Sequence, residues 1–528
     1  MTTGPEPAAP LDRRLAILLA MAMFVLVVDT SFMNVSISAV VADLDTTVSG
    51  VQSAIALEAL VSAAFILIGS KVGDLAGRKR AYVIGLLAYA TGAVAMMLAQ
   101  SLTAVIIFWA IIGGLGASLL LPSMQSLIHG NFTGGAQVKV YALVGASASI
   151  AAAVGPLLGG FITTYLSWRV AFGLEALIIV VVLSGIKLVK DVKFTGDRSI
   201  DLVGAGLSAL AMGGIVLGIL VWQEGGEAVG ALIALGGIAL AALVWWLLRR
   251  KRQGKPVLLD PDLFRLPLFR VGVSQQTLQQ ITLGAAMITL PIFLQMVLEY
   301  DAMAAGLSLA PLSLSMFAMA LLAGKRSGRR RPASIVLVGF GLVVVGILLL
   351  IPVIPRATSG WYLVLPLIVV GSGLGLLVSQ LNNYTLSPIT EERVSEAAGV
   401  NSAAGSFGLS FGLAFAGGVM LAALSLGFTA QADASTVLSA EEQTQVATAL
   451  EEDAELMSNT ALEETLVGQP EDVQAEILRI NTEVRPRALQ IALLVPLLAG
   501  IVGLITGFRM RRLPDPQPNA AIEGVALG

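Results

Sequence analysis

Long apolar runs recur along almost the whole chain and constrain its fold more than any other feature. A helix needs about 20 apolar residues to cross a hydrocarbon core roughly 30 Å thick. Of the 528 residues, 56% are hydrophobic and only 13% are charged, which is more apolar surface than a soluble core of this length can hide. With 56 Gly but only 7 Tyr and 6 Trp, the chain resembles packed helices more than an aromatic-girdled barrel. The sequence therefore predicts an all-α membrane protein.

Reading for such runs between charged residues gives fourteen spans. They lie near 15–38, 50–70, 81–99, 102–124, 141–164, 169–187, 202–222, 228–248, 271–297, 304–323, 334–353, 361–386, 397–426 and 488–508. The first run resembles a signal-peptide core, but it continues past Asp29 without a small-residue cleavage site, so we interpret it as the first span.

The basic residues predict the orientation of these spans. With the N-terminus in the cytoplasm, all but five of the 32 Lys and Arg residues fall on the inside. The exceptions are Arg169, Arg356, Arg479, Arg485 and Arg487. An even number of spans returns the C-terminus to the same side, so we expect a multi-pass protein of the cell membrane with both termini in the cytoplasm.

A repeated basic loop divides the chain. Gly77-Arg78-Lys79-Arg80 follows span 2, and Gly328-Arg329-Arg330-Arg331 follows span 10. Either two short basic loops coincide, or the chain holds two pseudo-symmetric six-helix bundles, as many secondary transporters do. On the second interpretation the segments are a cytoplasmic N-terminal tail (1–14), an N-terminal bundle (15–190), two inserted helices with flanking cytoplasmic loops (191–270), a C-terminal bundle (271–508) and a cytoplasmic C-terminal tail (509–528).

Several classes of function are disfavoured by composition. There is no Cys, so disulfides, thiolate metal sites and a cysteine nucleophile are excluded. The single His, His129, sits in a short polar connection, where we expect an exposed loop residue. No phosphate loop of the GxxxxGK[ST] type occurs, and the net charge of −3 gives no general case for nucleic acid. We expect neither an enzyme nor a bound cofactor or metal.

A polar turn follows span 2 and contains Gly73, Asp74, Gly77, Arg78 and Lys79. Glycines permit close backbone approach, and the acid lies within reach of the bases. The positive-inside tendency explains the bases but not the Asp and Gly at this spacing. The pattern GDxxGRK resembles the loop signature of the major facilitator superfamily, which implies that these residues form a cytoplasmic gate.

Span 5 is rich in small residues, among them Gly145, Gly155, Pro156, Gly159 and Gly160. Small residues let helices approach closely in lipid, and proline removes one backbone hydrogen bond. Ordinary small-residue packing is one interpretation. The GPxxGG pattern also resembles the antiporter signature of the same superfamily, which implies a packing hinge.

Span 1 contains Asp29-Thr30-Ser31-Phe32-Met33-Asn34, which resembles the DxTxxN segment of fourteen-span drug–proton antiporters, the EmrB/QacA branch. The resemblance implies a major facilitator fold with a 6 + 2 + 6 arrangement of helices. It also implies export of lipophilic, often cationic small molecules by alternating access. The partners would be these substrates, protons and the lipid bilayer, and the proton gradient would replace any cofactor.

The chain departs from that branch at three positions. An Arg usual in span 4 is Ala110 here, a Tyr usual in span 2 is Glu58, and an Asn usual in span 6 is Glu175. These changes remove one base and add two acids, so the resemblance supports the fold more strongly than it supports antiport.

Asp29, Glu58 and Glu175 are the acids that fall within the apolar spans. Helix rise places Asp29 about 21 Å from the start of span 1 and the other two near the same level. A lone charged carboxylate at such depth costs about 2.5–3.5 kcal/mol on insertion scales, so it needs a proton, a hydrogen bond or a cation. We predict proton-coupling and cation-binding roles, in which a proton and a cationic substrate exclude each other. Asp29 could instead only hydrogen-bond Thr30 or a neighbouring helix, and Glu175 could be structural or interfacial.

Amides within the spans are candidates for substrate lining. Gln275 and Gln279 share one helical face of span 9, and Asn34 and Asn382 lie in spans 1 and 12. Amides at membrane depth need partners or water. They therefore either line a water-filled cavity or join neighbouring helices by hydrogen bonds.

Residues 427–487 form an outer segment with thirteen acids and three bases. Ser439–Glu442 and Thr460–Glu463 are typical of capping boxes, and Gly468-Gln469-Pro470 interrupts the pattern. We expect two or three short amphipathic helices, which either form a solvated loop or bind an extracytoplasmic partner.

The sequence favours a proton-coupled multidrug exporter of lipophilic cations. An exporter of lipid or another uncharged metabolite, using the acids for coupling alone, is the first alternative. A membrane scaffold without transport activity is the second.

Overall fold

The computed structural model confirms an all-helical membrane protein with fourteen helices long and apolar enough to cross a bilayer, in the part of the chain that it describes. It describes residues 12–132, 134–191, 201–223, 228–325, 331–389, 393–439, 441, 443 and 458–514. The spans are numbered as in the sequence. They run Arg13–Val35, Val48–Gly73, Arg78–Leu98, Leu102–Ile128, Lys139–Tyr165, Trp168–Leu188, Leu202–Trp222, Val229–Arg252, Pro267–Val297, Ala302–Ala323, Pro332–Arg356, Gly360–Leu386, Glu396–Asp433 and Glu471–Met510.

Two of the spans contain π-helical turns. Span 4 is π-helical over Val105–Gly113 and continues as the α-helix Gly114–Asn131. Span 9 is an α-helix over Pro267–Ile292 and ends in the π-helix Phe293–Val297. Such turns rotate the following side chains and are frequent at functional sites.

Spans 1 to 6 pack mainly among themselves, and so do spans 9 to 14. Spans 7 and 8 pack as a pair, because glycines let their backbones approach. A Cβ at Gly214 would lie 2.8 Å from the Gly236 Cα atom. Span 7 also contacts spans 2 and 13, so the pair touches both halves.

The basic ends of the helices gather on one side of the bundle, which we call the basic face. The opposite side, the loop face, carries the connections 36–47, 298–301 and the described end of the outer segment. The halves meet toward the loop face, where span 5 packs against span 10. Deeper in the bundle Ser410 Oγ of span 13 donates to Ala56 O of span 2 at 2.6 Å. Gly145, in the basic-face half of span 5, faces open space.

Span 1 is not one continuous helix. The helix Arg13–Val35 ends at Ser36 (φ −105°, ψ 5°), and a second helix runs over Ile37–Leu44. The sequence shows no proline or glycine at this point, so the prediction of an unbroken run over 15–38 is wrong in this detail.

The outer segment differs from its prediction. Asn459–Thr465 is short, but Glu471–Ala492 has 22 residues and leads directly into Leu494–Met510, so span 14 extends beyond the apolar run. Its apolar stripe, which includes Val473, Ile480 and Val484, is buried, and the helix packs on span 13, which stabilises it as a long helix.

The predicted capping boxes also need correction. Ser458, not Thr460, caps the short helix, because its hydroxyl accepts from the Ala461 N–H at 3.0 Å. Glu442 of the other predicted box lies outside the described residues. The backbone of His129 is helical rather than in a loop, and its side chain lies outside the described part.

Candidate functional site

Asp29 lies at the centre of a buried polar cluster inside the N-terminal half. Its carboxylate is 1% exposed and accepts hydrogen bonds from the Tyr89 hydroxyl and the Trp109 indole. Trp109 Nε1 lies 2.9 Å from both carboxylate oxygens. Both donors are neutral, so the cluster satisfies the carboxylate by hydrogen bonding rather than by an ion pair.

The π-helical turn of span 4 places Trp109 against Asp29. Trp109 is 2% exposed, and the neighbouring Ala110 is fully buried. Ala110 is the position at which the sequence resemblance points to a missing arginine, and the donor to Asp29 comes from the residue before it. A neutral N–H donor thus approaches the acid from span 4.

Glu175 completes the buried part of the cluster. It is 1% exposed, and within the described residues neither carboxylate oxygen has a hydrogen-bond partner. Glu175 interacts electrostatically with Asp29. Phe172, three residues earlier on span 6, makes an edge contact with the Trp109 ring at 6.4 Å between centroids. Two acids are thus buried close together with one set of neutral donors.

Glu58 is the most accessible of the three acids. It is half-buried on span 2, and its charge interacts with that of Asp29 and with Tyr89. The structure therefore brings the three predicted acids together. It does not place all three at a cavity surface, because Asp29 and Glu175 are each 1% exposed.

The predicted lining amides have separate locations. Gln275 is fully buried and donates to Gly503 O at 3.2 Å and to the Thr506 hydroxyl at 2.7 Å. It joins spans 9 and 14, so its prediction as a lining residue is wrong in this conformation. Gln279 is also buried (1% exposed), and its side-chain oxygen has no described partner.

Asn34 and Asn382 differ from each other as well. Asn34 is 3% exposed and its amide donates to Thr30 O at 2.8 Å, so it does not line a cavity here. Asn382 is exposed, and its side-chain oxygen accepts from the amide of Asn401 in span 13 at 3.2 Å. Of the four amides, Asn382 is the one with an accessible side chain.

The polar turn after span 2 folds back on its own half. Gly77 has φ +98°, a conformation that favours glycine, and ends the helix of span 2. Arg78 is 5% exposed and donates to Ser70 O at 3.2 Å, and a Cβ at Gly73 would lie 3.2 Å from its side chain. Lys79 Nζ donates to Val189 O at 2.7 Å, just after span 6. The side chain of Asp74 lies outside the described residues.

The glycines of span 5 permit two close helix approaches. A Cβ at Gly155 would lie 2.6 Å from Ser31 Cβ, and one at Gly159 would lie 2.8 Å from Val35, both in span 1. A Cβ at Gly160 would lie 2.4 Å from Ala302 O, and a Cβ at Gly306 would lie 2.2 Å from Pro156 O. The motif therefore packs span 5 against span 1 and against span 10 of the other half. A Cβ at Gly145 would meet no neighbouring helix or side chain within 4 Å, so Gly145 takes no part in these approaches.

Sequence reasoning missed four residues that the structure brings into this region. Tyr89 and Trp109 hold Asp29, and Gln295 and Arg485 lie at the loop face. Tyr89, Trp109 and Gln295 gave a weak signal in the sequence, since each is a polar or amphipathic residue inside an apolar run. None could be paired with its partner without the tertiary fold.

The fold, together with a family match, indicates a membrane transporter rather than an enzyme. The family model described as Major Facilitator Superfamily matches residues 19–202 and 199–413. The chain belongs to the Major Facilitator Superfamily.

Relatives and solved structures agree with this assignment. The chain is 24% identical to the probable actinorhodin transporter of Streptomyces coelicolor, covering 81% of this chain and 76% of the relative. It is 27% identical to the multidrug resistance protein Stp of Mycobacterium tuberculosis, over 76% of this chain and 75% of that protein. The puromycin resistance protein pur8 of Streptomyces alboniger is 27% identical, over 81% of this chain and 84% of the relative.

The fold is similar to those of solved transporters. A D-xylose–proton symporter superposes with a TM-score of 0.55 at 13% identity, covering 77% of this chain and 90% of the other. A peptide transporter crystallised with sulfate gives a TM-score of 0.60 at 14% identity, over 95% and 96% of the two chains.

Proposed function

We propose that the protein exports lipophilic compounds across the cell membrane by alternating access, driven by inward proton flow, as a member of the fourteen-span EmrB/QacA branch. The observation that carries the proposal is the cluster of three acids within the spans of the N-terminal half. Its described hydrogen-bond donors are the neutral side chains of Tyr89 and Trp109. In this proposal both termini lie in the cytoplasm.

In this proposal the three acids have different roles. Asp29 and Glu175 are enclosed, so they suit protons, which need little space. Glu58 is half-buried, so it is the one of the three acids that a cationic substrate could approach in this conformation. Because the charges of Asp29 and Glu58 interact, a proton on one changes the affinity of the other for a cation.

The names of the relatives support export. One is named a probable actinorhodin transporter, another a multidrug resistance protein and a third a puromycin resistance protein. We infer that this chain acts on small molecules of a similar, largely apolar kind.

A second candidate is export of lipid or another uncharged metabolite. It is favoured by the enclosure of Asp29, whose two oxygens already receive donors from Tyr89 and Trp109. In this version the acids serve proton coupling alone, and no acid contacts the substrate.

Purified protein in liposomes with an imposed pH gradient tests both candidates. We expect uptake of fluorescent lipophilic cations into inside-acidic vesicles, with loss of uptake on adding a protonophore. Glu58→Gln is expected to reduce transport of cations more than that of neutral compounds of similar size. Equal reduction for both would favour the second candidate.

Two further variants define the acid roles. Asp29→Asn is expected to abolish the response to the pH gradient for all substrates. Glu464→Gln removes an exposed acid of the outer segment and serves as the matched control, with unchanged transport expected. If Asp29→Asn remained fully proton-driven, the coupling role of Asp29 would be refuted.

A further inference from the structure

The break in span 1 is filled by a side chain from the other half. In an unbroken helix, the Ser38 N–H would donate to the Asn34 carbonyl four residues earlier. Here the Ser38 N–H donates to Gln295 Oε1 at 2.9 Å, and Gln295 Nε2 donates to the Asn34 carbonyl at 3.0 Å. The side-chain amide of Gln295 thus takes the place of one backbone hydrogen bond of span 1. Its oxygen accepts from the free donor, and its nitrogen donates to the free acceptor.

The insertion is well enclosed. Gln295 and Asn34 are each 3% exposed, and the Ser38 hydroxyl adds a third hydrogen bond to Gln295 Oε1 at 3.0 Å. Backbone groups at such a position need a partner, and insertion into the hydrogen-bond ladder is a recognised cause of helix kinks. The break at Ser36 is therefore stabilised by Gln295.

The residue that fills the break is itself held by the outer segment. Gln295 lies in the π-helix Phe293–Val297, and the next residue, Met296, accepts a hydrogen bond on its carbonyl from Arg485 Nη1 at 2.5 Å. Arg485 is 1% exposed and also donates to Asn459 Oδ1 at 2.7 Å. The long helix of span 14 thus fixes the end of span 9 that carries the amide.

We propose that Gln295 is a latch that closes the loop face and at the same time holds span 1 in its broken form. When the halves separate at the loop face, Gln295 withdraws, Ser38 rebinds the Asn34 carbonyl, and span 1 becomes continuous. Asp29 lies five residues before Asn34 on the same helix, so opening of the loop face changes the helix that carries the buried acid. This inference rests on the alternating access of the proposed function, but on neither the substrate nor the proton.

The absence of Cys in the natural sequence makes a direct test possible. Ala302→Cys introduces a single thiol at the loop-face end of span 10, where the side chain is 4% exposed. The rate of maleimide labelling in open membrane fragments then reports separation of the halves. We expect Gln295→Leu to speed labelling about five- to thirtyfold, because the three hydrogen bonds that Gln295 makes to span 1 in the closed state are lost.

Gln275→Leu is the matched control. Gln275 is also a buried glutamine of span 9, but its amide joins span 14 within one half. Labelling of Cys at position 302 is expected to stay at the parent rate in this variant. Equal labelling in the parent and in Gln295→Leu, or equal acceleration in both glutamine variants, would overturn the latch.

Hydrogen–deuterium exchange over residues 34–40 tests the second half of the inference. In Gln295→Leu the segment is expected to stay protected, because Ser38 regains its bond within the helix. Faster exchange there would mean that the break persists without the amide and would refute the coupling to span 1. Since neither readout requires transport, failure of the latch and failure of proton-driven export are distinguishable.

Discussion

At the scale of single residues, the burial of Asp29 depends on two neutral donors. A charged carboxylate within a span costs about 2.5–3.5 kcal/mol on insertion scales, and a hydrogen bond to a charged group contributes about 1.5–3 kcal/mol. The two bonds from Tyr89 and Trp109, at about 3–6 kcal/mol together, are therefore enough to offset that cost. The same bonds leave little room for a substrate to contact Asp29 in this conformation.

Tyr89→Phe is predicted to destabilise the protein by about 1–3 kcal/mol, because the buried carboxylate loses a donor. Thermal unfolding in detergent measures the change. Tyr82→Phe is the control on the same span, since Tyr82 is 1% exposed and its hydroxyl has no described partner. We expect Tyr82→Phe to be neutral or slightly stabilising, and an equal loss in both variants would contradict the role of the hydroxyl of Tyr89.

At the scale of helices, span 5 packs by two different surfaces. Gly155 and Gly159 bring it close to span 1, and Gly160 brings it close to span 10 in the other half. Because Gly160 meets a backbone oxygen rather than a flexible side chain, any larger residue there must move a helix.

Gly160→Ala is predicted to destabilise the closed loop face by about 1–3 kcal/mol, since its Cβ would overlap Ala302 O. Gly145→Ala, in the same helix but facing open space, is predicted to be neutral or to gain up to about 1 kcal/mol from helix propensity. Unfolding midpoints of the two purified variants provide the comparison. Similar losses in both would mean that the close approach at Gly160 does not limit stability.

The connection between spans 8 and 9 is fixed by Asp260. Its carboxylate pairs with Lys251 of span 8 and, at 2.8 Å, with Arg393, just before span 13, and its N–H donates to Glu396 Oε1 at 2.7 Å. Burial alone would raise the pKa of Asp260, but the hydrogen bonds from Lys251 and the Asp262 N–H and the charge of Arg393 hold it below its ordinary value of 3.8. The inserted pair is thereby tied to the C-terminal half.

The lowered pKa gives the connection a defined pH dependence. A carboxyl whose pKa is lower in the folded state adds stability above its unfolded pKa, and this stability is lost as the pH falls through the folded value. Asp260→Asn is therefore predicted to cost about 1 kcal/mol near pH 7, a modest value because the partners are partly exposed. The difference from the parent protein should shrink below about pH 3.8 in unfolding experiments at several pH values. A stability difference that stays constant with pH would contradict a stabilising role of the ionised Asp260 carboxylate.

At the scale of the whole molecule, the two halves are joined by a few polar contacts between otherwise apolar surfaces. Gln295 joins spans 1 and 9, and Ser410 joins spans 2 and 13. A handful of hydrogen bonds amounts to a few kcal/mol, which is the range in which a ligand can shift a two-state equilibrium. The architecture therefore suits a molecule that must change conformation.

Membrane orientation is testable on the whole chain because no native thiol interferes. Val467→Cys, on the loop face and 80% exposed, is predicted to react with an impermeant maleimide added to intact cells. Gln253→Cys, exposed on the basic face, is predicted to react only after permeabilisation. The reverse pattern would place the termini outside the cytoplasm.

Much of the fold follows from the order of apolar and basic residues alone. The sequence predicts the fourteen spans and their approximate bounds because a helix needs about 20 apolar residues per crossing. The small residues of span 5 are visible because close helix packing in lipid favours them. The three acids are visible for the same reason, since each interrupts an apolar run. Helix rise alone predicted that they lie near one level.

The sequence by itself determined which residues are buried in the bilayer, because hydropathy and charge act on each segment independently of its neighbours. Only the tertiary structure decided what those residues touch. The Tyr89 and Trp109 donors to Asp29, the amide of Gln295 in the break of span 1 and the enclosure of Arg485 all join segments far apart in the chain. Such pairings depend on how helices pack against each other, and periodicity along one helix carries no record of its partner.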